Sequence, residues 1–192
     1  MTLSPSMMVT GSGVIDLDNP KPHQINFFDI TQVLSRTLRW AGRSRLPVSV
    51  AMHTLNGVSM ASPEARPYWL LHDAHGAYIG DIPTPVKNAI KNTVGKGIDP
   101  VGVISRGLDL AIWAAAGLAQ PSAAIVAEIE LIDEAMLNFE REHYGLPQHD
   151  EWPLSSVHPA LLNQKPLPYR PEYDQQQLFA AILAISPNWG KP

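Results

Sequence analysis

A chain of 192 residues with 45% apolar and 17% charged residues is long enough to bury one sizeable core, and two full domains would be cramped. A net charge of −4 without a Lys/Arg cluster offers no footprint for duplex nucleic acid or an anionic membrane surface. The absence of cysteine excludes disulfides, thiolate zinc sites and a thiol nucleophile, so any metal must be held by His, Asp and Glu.

In chain order, residues 8–17 place β-type residues on either side of Gly11-Ser12-Gly13, which predicts a small hairpin. Asp18 to Pro22 then breaks the chain. From Phe28 to Trp40 the apolar positions Ile30, Val33, Leu34 and Leu38 fall near helical spacing, with Asn26 or Asp29 as cap. A second helix is expected over Val48–Met60 and a third over Pro67–Ile79, joined by the Ser62-Pro63 and Arg66-Pro67 steps. Gly80 to Pro85 cannot continue the third helix, because its prolines lack donors and bias their predecessors away from helical geometry. A short helix over Pro85–Asn92 follows, and Gly95-Lys96-Gly97 opens a flexible gap.

Asp99–Leu118 reads as a buried, alanine-rich helix, and another runs from Pro121 to about Tyr144. After Gly145 prolines accumulate, and only Gln175–Ile185 looks helical again. The expected organisation is therefore an all-α bundle of about six helices with an N-terminal hairpin over 1–146. A proline-rich extension over 147–192 would pack on the same domain or on a neighbouring subunit. No signal-peptide pattern opens the chain, and the longest apolar run, Leu108–Ala119, is too short to span a bilayer. The expectation is a cytoplasmic protein.

The chemistry concentrates around His72-Asp73, which follows the core-like run Trp69-Leu70-Leu71 and sets an imidazole and a carboxylate at the edge of an apolar helix. His53 stands on the preceding helix. Asp133 has Val126, Ile129, Met136 and Leu137 at spacings of three, four and seven, so it is expected to face inward, with Glu130, Glu134, Asn138 and Arg141 outward. A carboxylate in an apolar stripe needs a partner. That partner is either a cation held with other helices or a salt bridge to Arg39 or Lys87. Each histidine alone reads more readily as an ordinary core or surface residue than as a ligand, but two histidines and two aspartates on successive helices make an N/O ligand set suited to Mn, Co, Fe, Ni or Zn. His23, His143, His149 and His158 read as solvated surface.

The pattern His53, His72-Asp73, Asp133 resembles the H…HD…D signature of the HD-domain metal-dependent phosphohydrolases. Leu34 to Arg43, Ser49 to Leu55, and Leu71 to Ala74 with Ala77 to Lys87 resemble in particular the branch containing bacterial 5′-deoxynucleotidases and phage dATP triphosphohydrolases. The likeness covers roughly residues 12–146, and Gly80-Asp81-Ile82-Pro83-Thr84-Pro85-Val86-Lys87 makes it specific.

The resemblance implies metal ligation by His53, His72, Asp73 and Asp133, with Asp73, Arg39 and Asp81 as catalytic residues. Arg39 would hold the phosphate, Trp40 would pack on sugar or base, and Asp81, Thr84 and Lys87 would line the substrate site. Read without it, Arg39-Trp40 is a helix-end cation beside a core indole. The implied activity is hydrolysis of deoxynucleoside 5′-mono- or triphosphates with a divalent metal, with Mg a further option for a triphosphate. The alternative is a catalytically impaired nucleotide-binding protein. A homo-oligomer, dimer or larger, is implied as well.

Two departures from that branch stand out. The link from His53 to His72 is shorter, and the third residue after the HD aspartate, a glutamate there, is Gly76 here. A missing proton-transfer group typically costs about 10² to 10⁴ in rate, which implies a slow enzyme. On an ideal helix His75 would point about 100° away from that position, and Glu140 would lie two turns beyond Asp133.

Overall fold

The computed structural model describes residues 6–95, 97–146, 161, 163–186, 188 and 189. Met7–Val9 (β1) and Val14–Asp16 (β2) pair antiparallel, with Met8 opposite Ile15, and Thr10 N–H donates to Gly13 O at 2.8 Å to close the expected turn. Ile15 is fully buried against the helical body, and Asp29 accepts from the Ser12 backbone and hydroxyl at 2.8 and 2.6 Å, pinning the hairpin tip.

Phe27–Leu34 (α1) is capped by Asn26, whose side chain accepts from Phe28 N and Asp29 N. It stops well short of Trp40. Arg36 and Ser35 donate to Gln32 O and Thr37 to Val33 O through their side chains, so the last carbonyls are satisfied without further helix. The chain then runs extended beside the segment before the next helix, with Arg39 N donating to Val48 O and Val50 N to Thr37 O.

Val50–Gly57 (α2) is capped by Ser49, Arg66–Leu71 (α3) follows, and Gly76–Ile79 (α4) is a separate short helix. The helix expected over Pro67–Ile79 is thus broken at His72–His75. His72 Nδ1 lies 2.6 Å from Trp69 O, occupying the carbonyl that the next turn would use, and the bonds from Ala74 to Leu71 and Gly76 to Asp73 tighten to a three-residue reach.

Thr84–Val94 (α5), Pro100–Ala115 (α6), Ala123–Tyr144 (α7) and Pro171–Ile185 (α8) complete the body. Asp99 and Ser122 cap α6 and α7, and Gly145, at φ 70°, ends α7 in the left-handed conformation that glycine adopts freely. Among the described residues the architecture is mostly helical with one small two-stranded sheet, as the sequence predicts, although α6 buries one face only: Val103 is exposed.

Two apolar clusters form the interior. The larger joins Phe27, Ile30 and Leu34 of α1 to Leu71, Leu108, Ile112 and, from α8, Leu178 and Ile182. The smaller joins Met52 and Trp69 to Met136 and Phe139 of α7 and to Leu161. Leu161, Leu167 and α8 therefore lie against the same helical body, whereas 147–160, the start of the expected arm, fall outside the described residues. Because α2 gives Ala51 to one cluster and Met52 to the other, its next residue, His53, emerges at the seam. Among the described residues no helix is long and apolar enough to cross a membrane.

Candidate metal centre and substrate cleft

At that seam His53 Nε2 stands 3.2 Å from His72 Nε2 and 3.3 Å from Asp133 Oδ1, and the three ligand atoms all lie within 4.8 Å of one another. Two donors each ~2.1 Å from one ion stand ~3.0 Å apart at an octahedral edge and ~3.4 Å apart in a tetrahedron. The two separations from His53 Nε2 fall in that interval, and His72 and Asp133, whose ligand atoms lie within 4.8 Å, are spaced as donors on opposite sides of one octahedral ion, ~4.2 Å apart, would be, so these residues fit a divalent metal.

Asp73 adjoins the trio without joining it fully. Its Oδ2 is 3.3 Å from His72 Nε2 but 3.9 Å from His53 Nε2, and it accepts from Arg39 NH1 at 3.2 Å. Asp133 departs from its expected setting: its side chain is 53% exposed, at the rim of the site. Its helix turns toward the interior from Ile132 on, where Ile132, Met136 and Phe139 are buried on other faces, and Asn138 and Arg141, expected outside, are buried too. The salt-bridge alternative is partly met, since Arg39 NH2 is 3.9 Å from Asp133 Oδ1.

The residues behind the ligands fix their orientation. Trp69 stacks on His72 with ring centroids 4.1 Å apart and planes 13° apart, while its indole donates to Thr54 O at 2.8 Å. His53, fully buried, presents Nδ1 to Glu140 Oε1 at 2.7 Å. The other Glu140 oxygen accepts from Arg39 Nε and Trp40 Nε1, each at 3.0 Å. Trp40 is therefore committed to a buried carboxylate by its indole N–H. Trp40 and Ala41 hold φ of 59° and 50°, a conformation costly for residues with a side chain and concentrated at functional sites.

Charge is dense here. Burial and the Arg39 cation both oppose a proton on His53, yet Glu140 and Asp133 prevail and raise its pKa to about 9. Burial would push Asp73 up, but His72, Arg39 and His53 hold it well below the ordinary carboxylate range. Asp133 and Glu140 are lowered as well against the effect of burial, the first by His53 and the second by Arg39 and His53.

Beside the trio a narrow cleft, with about 10 Å³ of free space, is lined by Asp73, His75, Gly76, Asp81 and Lys87. That is room for about one water. Burial raises the Asp81 pKa, with Arg39 opposing. Of the five predicted substrate residues, Asp81 and Lys87 line the cleft, whereas Arg39, Trp40 and Thr84, the last at the exposed start of α5, do not. Gly76 is buried, and a Cβ added there would meet only Leu34 Cδ2, at 3.8 Å, so no crowding demands glycine.

Three residues at the site were given no role by the sequence reading: Glu140 and His75, noted there but set aside as stand-ins for the missing glutamate, and Asp109. Glu140 shares a face with Asp133 two turns on, a spacing visible in the sequence, but it is buried behind His53 and Arg39 and not in the place of the missing glutamate. His75 enters the cleft because the chain rewinds to three residues per turn around it, and its Nδ1 pairs with Asp109 Oδ1 at 2.9 Å. Burial opposes the charged imidazole, but Asp109 raises its pKa. Asp109 was visible only as a lone acid between Leu108 and Leu110. No protein-family model matches the chain, and no curated protein matches its sequence. Function is therefore read from the site itself.

Proposed function

We propose that the chain is an HD-domain-like, metal-dependent phosphohydrolase acting on nucleotides, with deoxynucleoside 5′-mono- or triphosphates as the substrate class. The observation that carries this reading is the convergence of His53 Nε2, His72 Nε2 and Asp133 Oδ1 beside the Arg39 guanidinium, at separations suited to a divalent ion. His53, His72 and Asp133 would hold the ion, with Asp73 adjoining. A divalent cation in such a set supplies Lewis acidity toward a phosphoryl oxygen and a bound water of lowered pKa.

The chain's own residues would do the rest. Arg39, whose NH1 now contacts Asp73, turns a planar donor fork toward phosphate, and Lys87 adds a second cation on the cleft wall. With Gly76 unable to transfer a proton, His75 backed by Asp109 is the group placed to do so from the same wall.

A second reading, a nucleotide-binding protein that keeps the cage but not the turnover, is favoured by Gly76 and the narrow cleft. Metal analysis after gentle purification should find about one transition metal per chain. Deoxynucleotides should then be hydrolysed with Mn or Co, and His53→Ala should abolish both properties. If native chain and Gly76→Glu both bind nucleotide and neither hydrolyses it, the binding reading replaces the enzyme. If neither metal nor nucleotide binds, both readings fail.

A further inference from the structure

Glu140 is the most deeply placed acid of the site: it is fully buried and makes no contact with solvent, yet it is held as a carboxylate by two fixed N–H donors, Arg39 Nε and Trp40 Nε1. An ionised carboxylate accepts and cannot donate, so the proton in the 2.7 Å contact belongs to His53 Nδ1. That assignment leaves Nε2 as the atom facing His72 and Asp133. One helix thus supplies both sides of His53, Asp133 toward Nε2 at 3.3 Å and Glu140, seven residues later, toward Nδ1.

The other oxygen of the same carboxylate faces the opposite way. It takes the Arg39 Nε–H and the Trp40 indole N–H, and the left-handed turn at Trp40–Gly42 directs that indole back onto it. Arg39 is left with NH1 on Asp73 and NH2 toward Asp133, fanned across the metal trio. Among the described residues, Glu140 is the buried acceptor that meets both the imidazole and the guanidinium on that side.

The geometry points to Glu140 as a positioning residue that couples the two halves of the site, fixing His53 in its ligating tautomer and Arg39 in its anion-facing pose through one carboxylate. The inference rests on the metal-site reading above. Its consequence is linkage: a change at Glu140 weakens metal binding and anion binding together, although Glu140 touches neither ligand. Partners behind metal-bound histidines typically carry 10- to 100-fold in affinity.

The test measures Mn(II) affinity by calorimetry and then inorganic phosphate binding to the Mn-loaded protein, for native chain, Glu140→Gln and Glu140→Asp. Glu140→Gln keeps the shape but presents an amide to one set of donors, and about 10- to 100-fold loss of Mn(II) affinity is expected, with weaker phosphate binding at saturating Mn(II). Glu140→Asp keeps the charge but is one methylene too short to reach both sides, and should lose the coupling with a smaller loss of metal affinity.

Should Glu140→Gln fail to fold, Glu140→Asp decides. Native-like Mn(II) and phosphate affinities in either folded variant overturn the inference, as would a lowered melting temperature with both affinities intact, the mark of a merely structural acid. If the native chain binds no Mn(II), it is the metal-site reading that has failed.

Discussion

Metal uptake should expel a proton, and the size of the effect follows from His53. Both ring nitrogens meet carboxylates, Glu140 at 2.7 Å and Asp133 at 3.3 Å, and this holds the imidazole protonated up to about pH 9 in the metal-free protein. A metal at Nε2 must displace that proton while Nδ1–H stays on Glu140. At pH 7, about two units below the pKa, the displacement costs about 2.7 kcal/mol, or roughly 100-fold in affinity. Apparent Mn(II) affinity should therefore rise about tenfold per pH unit between pH 7 and 8.5. Titration calorimetry at pH 7 in buffers of different ionisation enthalpy should count about one proton released per metal.

Stability gives the converse sign. The folded pKa of about 9 lies above the ordinary 6.5, so the contribution of this group is fully present below pH 6.5 and is lost as pH rises through 9. The metal-free protein should lose about 3 kcal/mol over that window, and the metal-loaded protein, whose His53 is neutral throughout, should not. A pH-independent Mn(II) affinity with no proton release would show that His53 is neutral before metal binds, and would refute the reasoning.

Three substitutions probe other parts of the site. Gly76→Glu should raise turnover of a deoxynucleotide by about 10² or more, because a Cβ fits beside Leu34 and a carboxylate would enter the cleft; unchanged steady-state rates would mean that the glycine is not what limits the native chain. His75→Gln should lower kcat by about 10² with little change in KM, and an unaltered kcat would remove His75 from proton transfer. Gly57→Ala would place a Cβ 2.4 Å from Trp69 Cζ2 and 3.1 Å from Met136 Cγ. It should destabilise the fold by about 1–3 kcal/mol in denaturant titration and weaken metal binding by displacing the ring on which His72 stacks, whereas native stability would show that the packing there yields easily.

The elements written in local chemistry were legible in the sequence. Gly11-Ser12-Gly13 between β-type residues, Asn26 before an apolar period and Pro121-Ser122 before another all mark boundaries that the structure keeps to within a few residues. What could not be read was decided by side chains capturing backbone carbonyls. Ser35, Arg36 and Thr37 stop α1 early and thereby place Arg39 and Trp40 in a turn, and His72 interrupts the α3–α4 segment and thereby brings His75 into the cleft. Helical periodicity assigns faces only while the winding is regular, so it failed for His75 at the step where the winding changes. Asp133 was misread for a related reason: the spacings around it are those of an inward residue, but Val126 and Leu131 on that helix are exposed, and the buried stripe begins only near Ile132.

The charge balance explains why such a site stays folded. Asp73, Asp133 and Glu140 contribute carboxylates whose pKa values are all lowered, and Arg39 is the permanent cation that pairs with all three. Three negative charges against one positive leave a deficit of two, in a place where unpaired charge costs several kcal/mol per ion. A protonated His53 supplies one of the missing charges and solvent at the half-exposed Asp133 softens the other, which accounts for the raised His53 pKa without any metal. A divalent cation at Nε2 would remove the need for that proton and close the deficit in one step. The same carboxylates that elevate the histidine pKa are therefore those that would select a doubly charged ligand, and proton and metal would compete for the charge that three acids leave unmet by Arg39.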